Sequence, residues 1–293
     1  NTAIGSQSLR ANTTGGANTA CGEQALLNST TASNNTAVGK AALEANTTGI
    51  NNTAVGFNAG QNLTTPNNCT YIGQSCAGSA TTGGNNTGVG SACYEALSTG
   101  FNNSALGEEA FEDLTTGNDN AGIGYGAGLA VTTGANNTML GSFAGSNVTT
   151  GSNQICVGQG AQAPSATSSN DCTLGNSSIG SLRCNVQSIS SLSDGRDKTN
   201  VIDLPEGLNF INKLRPVKFK WATRDGNGKD GLYEHGFIAQ DLQTIQNENN
   251  ADYLNMVMDK NPDRLEASYG KLVPILVNAI KELSAKVTAL EAG

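Results

Sequence analysis

Asn35-Thr36-Ala37-Val38-Gly39 is the stretch that decides the fold of the first part of this chain, because its pattern recurs every seventeen residues without an insertion or deletion. In rows of seventeen, residues 1–163 align with glycine at the fifth place of all ten rows and Ile, Val, Leu or Cys at the fourth. The eighth place is always Ser, Ala or Cys, and the fourteenth is threonine in all nine complete rows. A fixed period of this kind is typical of a solenoid, in which each row forms one coil.

Each row is expected to form one short strand followed by turns. Thr36 and Val38 lie on one face of such a strand and Ala37 on the other, because successive side chains alternate. Gly39 supplies a backbone that can turn with positive φ. One coil contains few large apolar residues, so we expect several chains to share a core, with the small residues of the third place, such as Ala37, at their common axis.

Some features of the repeat allow more than one interpretation. Cys76 and Cys93 occupy the same place in successive coils, so they could form a disulfide bond or simply replace alanine in a buried column. The threonine columns could bind ice, but threonine ladders more often stabilise strands. A segment rich in Asn, Thr and Gly could also be a disordered linker, although disorder does not require a fixed period.

The distribution of charge divides the chain near residue 193. Residues 1–192 contain three basic and nine acidic side chains, whereas residues 193–293 contain thirteen basic and fifteen acidic ones. This change in composition predicts a domain boundary. We therefore divide the chain into a repeat stem over residues 1–163, a neck of short β-strands over 164–192 and a C-terminal module over 193–293.

The totals also exclude several classes of function. A net charge of −8 argues against binding to nucleic acid. No apolar run is long enough to span a bilayer, so we expect no membrane insertion. The chain has one histidine and no CxxC pair, so we expect neither a metal nor a cofactor. Residue 1 lies inside a repeat, which suggests that the chain is part of a longer protein.

The C-terminal module has the pattern of a small α+β domain. Helices are expected over residues 204–214 and from about 236 to 246, strands over 217–221 and 253–258, and a loop over 225–228. A last helix begins near residue 271, with Pro274 in its first turn. This helix contains a heptad seam of apolar residues, formed by Tyr269, Val273, Leu276, Ile280, Leu283, Val287 and Leu290.

The border between stem and module reads Ser193-Asp194-Gly195-Arg196-Asp197-Lys198. A serine hydroxyl becomes a nucleophile when a base removes its proton, and a lysine can be that base when burial favours its neutral form. The same residues could instead form a loop that resembles a helix cap, because Ser, Asp and Gly favour caps and turns. His235 could be a general base, but a histidine beside a glycine in a loop is more often a solvated or packing residue.

Two resemblances to known families follow from these motifs. The repeats resemble the head repeats of trimeric autotransporter adhesins, through segments such as Asn51-Asn52-Thr53-Ala54-Val55-Gly56, and are similar to repeats of phage and other viral tail-fibre proteins. Residues 193–293 closely resemble the intramolecular chaperone of phage endosialidases, tail spikes and neck appendages. That second resemblance depends on SDGRDK, on LRPVKFKW at 214–221, on GFIAQD at 236–241 and on the terminal helix.

The resemblances imply a trimeric parallel β-roll stem and a C-terminal domain that trimerises, holds the stem chains in register and is then released by self-cleavage at Ser193-Asp194. Ser193 is implied as the nucleophile and Lys198 as the base of a Ser-Lys dyad, while Asp194 and Arg196 position the loop. Val and Ile at a with Leu at d favour two strands in a parallel coiled coil, whereas the fibre resemblance favours three, and we adopt three.

We therefore predict a mainly β fold with an α+β C-terminal domain that ends in a coiled-coil helix. The predicted function is a homotrimeric tail fibre or spike of a virion, with a host-cell receptor or glycan as its partner. A bacterial cell-surface trimeric adhesin is the alternative. The only enzymatic activity expected is one turnover of serine-type autoproteolysis, because the stem shows no carboxylate pair in apolar surroundings for glycan hydrolysis.

Overall fold

The computed structural model describes residues 1–185, 193–224 and 229–293. The chain divides into two compact units, Asn1–Asn176 and Ser177–Gly293. The end of the predicted neck, residues 186–192, and the loop predicted over 225–228 lie outside the described residues.

The first unit contains one parallel sheet of eleven strands, which follow one another in chain order. Each strand pairs with the next at an offset of seventeen residues, so that Thr36 lies beside Thr53 and Ala37 beside Ala54. The predicted parallel β-solenoid is therefore confirmed. Its strands are Thr2–Ile4 (β1), Thr19–Cys21 (β2), Thr36–Val38 (β3), Thr53–Val55 (β4), Thr70–Ile72 (β5), Thr87–Val89 (β6), Ser104–Leu106 (β7), Ala121–Ile123 (β8), Thr138–Leu140 (β9), Ile155–Val157 (β10) and Cys172–Leu174 (β11).

The solenoid extends past residue 163, where we expected the repeats to end. Strand β11 pairs with β10 at the same offset, with Cys172 beside Ile155. The sequence contains the signal for this continuation, because Thr167 occupies the fourteenth place of the tenth coil and Gly175 the fifth place of the eleventh. Pro164 changes the composition of the preceding turn without changing its length. Within the described residues 164–185, β11 is the one strand present.

Each solenoid strand has one buried and one exposed face. Ala37 is fully buried, whereas Thr36 is half-buried and Val38 is exposed, as the alternation along a strand predicts. The prediction that the third place lies at an axis between chains is wrong, because each coil closes around that face and encloses Ala37 within its own chain. The fourth place instead forms a row of exposed or half-buried apolar residues, the place-four ladder: Ile4, Cys21, Val38, Val55, Ile72, Val89, Leu106, Ile123, Leu140, Val157 and Leu174.

The core of the solenoid is continuous within one chain because large and small residues compensate each other at the third and ninth places. At the ninth place, Tyr94 and Phe111 are fully buried and stack with ring centroids 6.1 Å apart. Gly122, at the third place, leaves the space for one of these rings, since a Cβ there would lie 2.6 Å from Phe111. Where the third place is Tyr71, the ninth place of the preceding coil is Gly60.

The second unit is a small α+β domain, as predicted. Helix α1 is shorter than the helix predicted over 204–214, because Gly207 has non-helical angles (φ −148°, ψ −134°). The strand predicted over 253–258 begins instead as a 3-10 helix and is interrupted by Asn255 at φ +47°. The elements are Gly195–Asp197 (3-10), Leu208–Ile211 (α1), Val217–Lys220 (β12), Tyr233–Gly236 (β13), Ala239–Glu248 (α2), Asp252–Leu254 (3-10), Val257–Met258 (β14), Glu266–Ala267 (β15), Tyr269–Lys271 (3-10) and Leu272–Glu291 (α3).

Helix α3 has two apolar faces with different environments. One face contributes Leu272 and Ile275 to a core that also contains Phe210 of α1 and Met256. The other is the predicted heptad seam, which is exposed at every position from Tyr269 (47%) to Leu290 (81%). None of the helices in the described ranges combines the length and the apolar character needed to cross a membrane.

Candidate functional site

The segment Ser193–Lys198 forms a short exposed loop built around a 3-10 turn. Asp194 caps the 3-10 helix Gly195–Asp197, and its carboxylate accepts a hydrogen bond of 2.9 Å from the backbone N–H of Arg196. The backbone N–H of Lys198 closes the turn by donating to the carbonyl oxygen of Gly195. This is the cap-like loop that Ser, Asp and Gly favour, and it sets the path of the chain between Ser193 and Lys198.

The turn brings the side chains of Ser193 and Lys198 together. Lys198 Nζ donates to Ser193 Oγ at 2.5 Å and to the carbonyl oxygen of Ser193 at 3.1 Å. The amino group of Lys198 thus contacts both the side-chain hydroxyl of Ser193 and the carbonyl oxygen of the peptide bond that joins Ser193 to Asp194. Both residues are exposed in the single chain. A helix-cap loop and a Ser-Lys dyad are therefore compatible in this segment, because the turn capped by Asp194 brings Lys198 to Ser193.

Arg196 and Asp194 form the ion pair of this loop. Arg196 Nε and Nη2 donate to the two carboxylate oxygens of Asp194, with Nη2 at 2.5 Å from Oδ2. These bonds from the guanidinium, followed by the bond from the backbone N–H of Arg196, lower the pKa of Asp194. The carboxylate therefore keeps its charge to a lower pH than it would without Arg196.

The geometry permits proton transfer between Ser193 and Lys198, since their polar atoms lie at hydrogen-bond distance. In the form described here the lysine is the donor, so it can act as a base only after it loses its own proton. Burial disfavours a charged ammonium group. A neighbouring surface that covers this exposed loop would therefore be needed before Lys198 could accept the proton of Ser193.

Two of the sequence motifs of the module meet in space. Arg215, in the LRPVKFKW segment, forms an ion pair with Asp241 of the GFIAQD segment, with Nη2 2.8 Å from Oδ2. In the same GFIAQD segment, the backbone N–H of Phe237 donates to the hydroxyl of Tyr269 at 3.1 Å. Tyr269 begins the 3-10 helix that leads into α3. The motifs thus connect α2 and the start of α3 within one unit.

Sequence reasoning missed two polar residues of α3 that hold the segment after the loop. Asn278 Nδ2 donates to the carbonyl oxygens of Leu204 and Glu206, at 2.7 and 3.1 Å. Glu282 accepts a bond of 3.0 Å from the backbone N–H of Leu208, the first residue of α1. We call Asn278 and Glu282 the α3 latch. Their positions outside the apolar seam gave no sequence signal, because polar residues are ordinary on the exposed face of a helix.

The remaining candidate groups do not join the loop in a site of known type. His235 lies exposed in β13, where it pairs with Lys218 of β12. Across residues 1–185, 193–224 and 229–293, no three His, Cys, Asp or Glu side chains form a group that could hold a metal ion.

Comparisons with known proteins identify the second unit more closely. Residues 193–250 match a family model described as the chaperone of endosialidase. The match begins at Ser193 and covers the loop, β12, β13, α1 and α2. No curated protein and no solved structure matched the chain. The family match and the β-solenoid together fit a tail-spike-type protein with a C-terminal chaperone domain.

Proposed function

We propose that this chain is a homotrimeric fibre or spike of a virion, whose C-terminal domain is an intramolecular trimerisation chaperone that cuts itself off at Ser193-Asp194. The observation that carries the self-cleavage proposal is the 2.5 Å contact between Lys198 Nζ and Ser193 Oγ at the first residues of the family match. We further propose that the mature stem binds a host-cell receptor or glycan.

The exposed seam of α3 supports the homotrimer. Seven apolar residues at heptad spacing remain uncovered in the single chain, and burying them in a parallel bundle removes apolar surface from water. The same helix is anchored to its own domain through Leu272 and Ile275. Trimerisation along α3 would therefore place three copies of the module side by side, with equivalent residues at the same height along the bundle.

The proposed reaction is the hydrolysis of one peptide bond. Neutral Lys198 takes the proton of Ser193, the serine oxygen adds to the carbonyl carbon, and the bond to the nitrogen of Asp194 breaks. Lys198 returns its proton to that nitrogen, which leaves as a free amine. Water then hydrolyses the ester, so one water molecule is consumed for each chain that is cut.

The reaction depends on whether Ser193 attacks the carbonyl of its own chain or that of a neighbouring chain. If the hydroxyl of Ser193 attacks the carbonyl of its own residue, it must close a strained four-membered ring. Attack by Ser193 on the same bond of a neighbouring chain avoids that ring and would require the assembled trimer. We therefore propose that cleavage occurs between chains, which would make it report correct assembly.

The test of self-cleavage is the intact mass of the expressed chain. The wild type should give two pieces, one ending at Ser193 and one beginning at Asp194, while Ser193→Ala and Lys198→Met should stay whole. Lys271→Met, which removes another exposed lysine of the module, is the matched control and should be cut normally. An uncut wild type from an assembled trimer would refute the autoproteolysis and leave the chaperone proposal in place.

Mixed trimers distinguish attack between chains from attack within one chain. Tagged Ser193→Ala chains are refolded with an excess of wild-type chains, and the tagged chain is followed by mass. Cleavage of the tagged chain at its own border would establish attack by a neighbouring serine. If every tagged chain stayed whole in verified mixed trimers, the reaction would have to occur within one chain.

A bacterial cell-surface adhesin is the second candidate, favoured by the resemblance of the repeats to trimeric autotransporter heads. Any sequence that precedes residue 1 in the complete protein would decide between the two. A virion-attachment domain would support the fibre, whereas a signal sequence with an outer-membrane anchor would support the adhesin.

A further inference from the structure

The exposed face of the solenoid sheet carries an apolar surface that runs along the stem. The place-four ladder contains an apolar residue in each of the eleven coils, and none of them is buried in the single chain. Ile4, Leu106 and Ile123 are at least half exposed. Parallel sheets are normally covered on both faces, but here only the face that carries the third place is enclosed by its own chain.

The sheet face formed by the second and fourth places carries no charged side chain in any of the eleven coils of the stem. The stem does have charged side chains at the first, sixth, seventh, tenth, eleventh and seventeenth places. Glu23 and Lys40, for example, form an exposed ion pair at the sixth place. Glu109 and Glu112 lie at the seventh and tenth. The apolar face is therefore separated from charged surface by position in the repeat.

We infer that the place-four ladder is the surface along which copies of this chain pack against one another in the stem. This inference rests on the proposed homotrimer and names the face that meets the axis. A partner must offer apolar side chains at the same spacing of one coil, roughly 4.8 Å. A second copy of the chain in parallel register has that spacing over the whole length of the ladder.

The heptad seam of α3 supports the same register. A parallel bundle places equivalent residues of each copy at the same level, and parallel stems in register would then place each coil beside the same coil of its neighbours. Side chains of the fourth place from three copies would meet at the axis. Cys21 belongs to the ladder, so its thiol can be used to test whether the ladders of neighbouring copies lie side by side.

The test is cross-linking of the assembled full-length protein with a short bis-maleimide, each end of which adds to one thiol. Ser193→Ala is used so that stem and module stay joined, and Cys172→Ser and Cys184→Ser remove the two exposed thiols, which leaves the half-buried Cys21. Cys21 should then be linked to Cys21 of a neighbouring copy, which gives a dimer band on a denaturing gel. Adding Cys21→Ser should abolish that band.

A second pair of variants examines the middle of the stem. In the background without Cys21, Cys172 and Cys184, Leu106→Cys should restore the dimer band. The matched control Thr116→Cys lies in a turn of the same coil, is also exposed and should give at least tenfold less cross-linked product. Both residues are exposed in the single chain, so the fold of each chain should be preserved.

Sedimentation of the same samples separates failure of this inference from failure of the proposed function. A trimer that is cross-linked at Thr116→Cys but not at Cys21 or Leu106→Cys would overturn the ladder as the interface and leave the trimer standing. A dimer cross-linked at Cys21 would support the ladder and refute the trimer. A monomer without cross-links would overturn both.

Discussion

At the scale of single residues, the stem depends on a buried column of asparagine side chains at the first place of the coil. The backbone N–H of Asn103 donates to Asn86 Oδ1 at 2.9 Å, and Asn103 Nδ2 donates to the carbonyl of Gly117 at the same distance. Its own Oδ1 accepts from the backbone N–H of Asn120 at 3.0 Å. The amide of Asn103 thus satisfies a buried backbone carbonyl of its own coil and a buried backbone N–H of the next coil.

We predict that Asn103→Ala destabilises the stem by about 2–4 kcal/mol, because it leaves at least two buried backbone groups without a partner, at about 1–3 kcal/mol each. Thr116→Ala, an exposed change in the same coil, should alter stability by no more than about 0.5 kcal/mol. Chemical denaturation of the two variants, followed by far-UV circular dichroism, measures the difference. Equal midpoints for both variants would show that the column does not stabilise the coil.

The pKa of Asp194 is a second property of single residues. Arg196 lowers that pKa, so the contribution of this cap is present above the ordinary pKa of an aspartate and is lost as pH falls through the lowered value. In Arg196→Ala, the pKa of Asp194 should return part of the way, because the hydrogen bond from the backbone N–H of residue 196 remains. Carboxyl-carbon NMR titration of wild type and variant measures this, and an unchanged Asp194 titration would contradict it.

At the scale of elements, α3 connects the assembly surface to the segment after the loop. The α3 latch binds residues 204–208, while the seam of the same helix is exposed. Gly207 makes room for the latch, since a Cβ at this position would lie 1.9 Å from Glu282 Oε1. A change on either side of this contact should therefore release the start of α1.

We predict that Glu282→Ala and Gly207→Ala each make the amide of Leu208 exchange with solvent roughly twofold to tenfold faster, the equivalent of about 0.5–1.5 kcal/mol for one hydrogen bond. The double variant should exchange little faster than either single variant, because both changes remove the same bond. Lys281→Ala, next to the latch on α3, is the control. Fully additive effects in the double variant would mean that the two changes act on different contacts.

At the scale of the whole molecule, the proposed assembly depends on the seam of α3. Ile280→Asp with Leu283→Asp places charges at adjacent seam positions in every copy, where an assembled bundle would bury them at a high desolvation cost. We predict that this variant is monomeric by sedimentation and remains uncut. Lys281→Asp, on the same turn but outside the seam, should assemble and be cut. A monomeric variant that is cut at the wild-type rate would refute the coupling of cleavage to assembly.

Much of the architecture follows from periods that a sequence shows directly. The period of seventeen identifies the coil and its number of residues, and the alternation in Thr36-Ala37-Val38 assigns its side chains to two faces. The heptad spacing of α3 identifies its seam in the same way. These features are local, since strand and helix geometry determine which neighbours in sequence share a face. Even past Pro164 the period continues, with Thr167 at the fourteenth place of the tenth coil and Gly175 at the fifth place of the eleventh.

The tertiary structure alone decided which face of each strand is enclosed. That choice depends on the direction in which the coil turns, and the turn uses left-handed backbone angles at residues such as Ala41 (φ +55°) and Leu43 (φ +51°), where neither residue type predicts them. The closure of the coil buries Ala37 and exposes Val38. Likewise, the spacing of Ser193 and Lys198 is present in the sequence, but their contact exists only because the 3-10 turn capped by Asp194 folds one back onto the other.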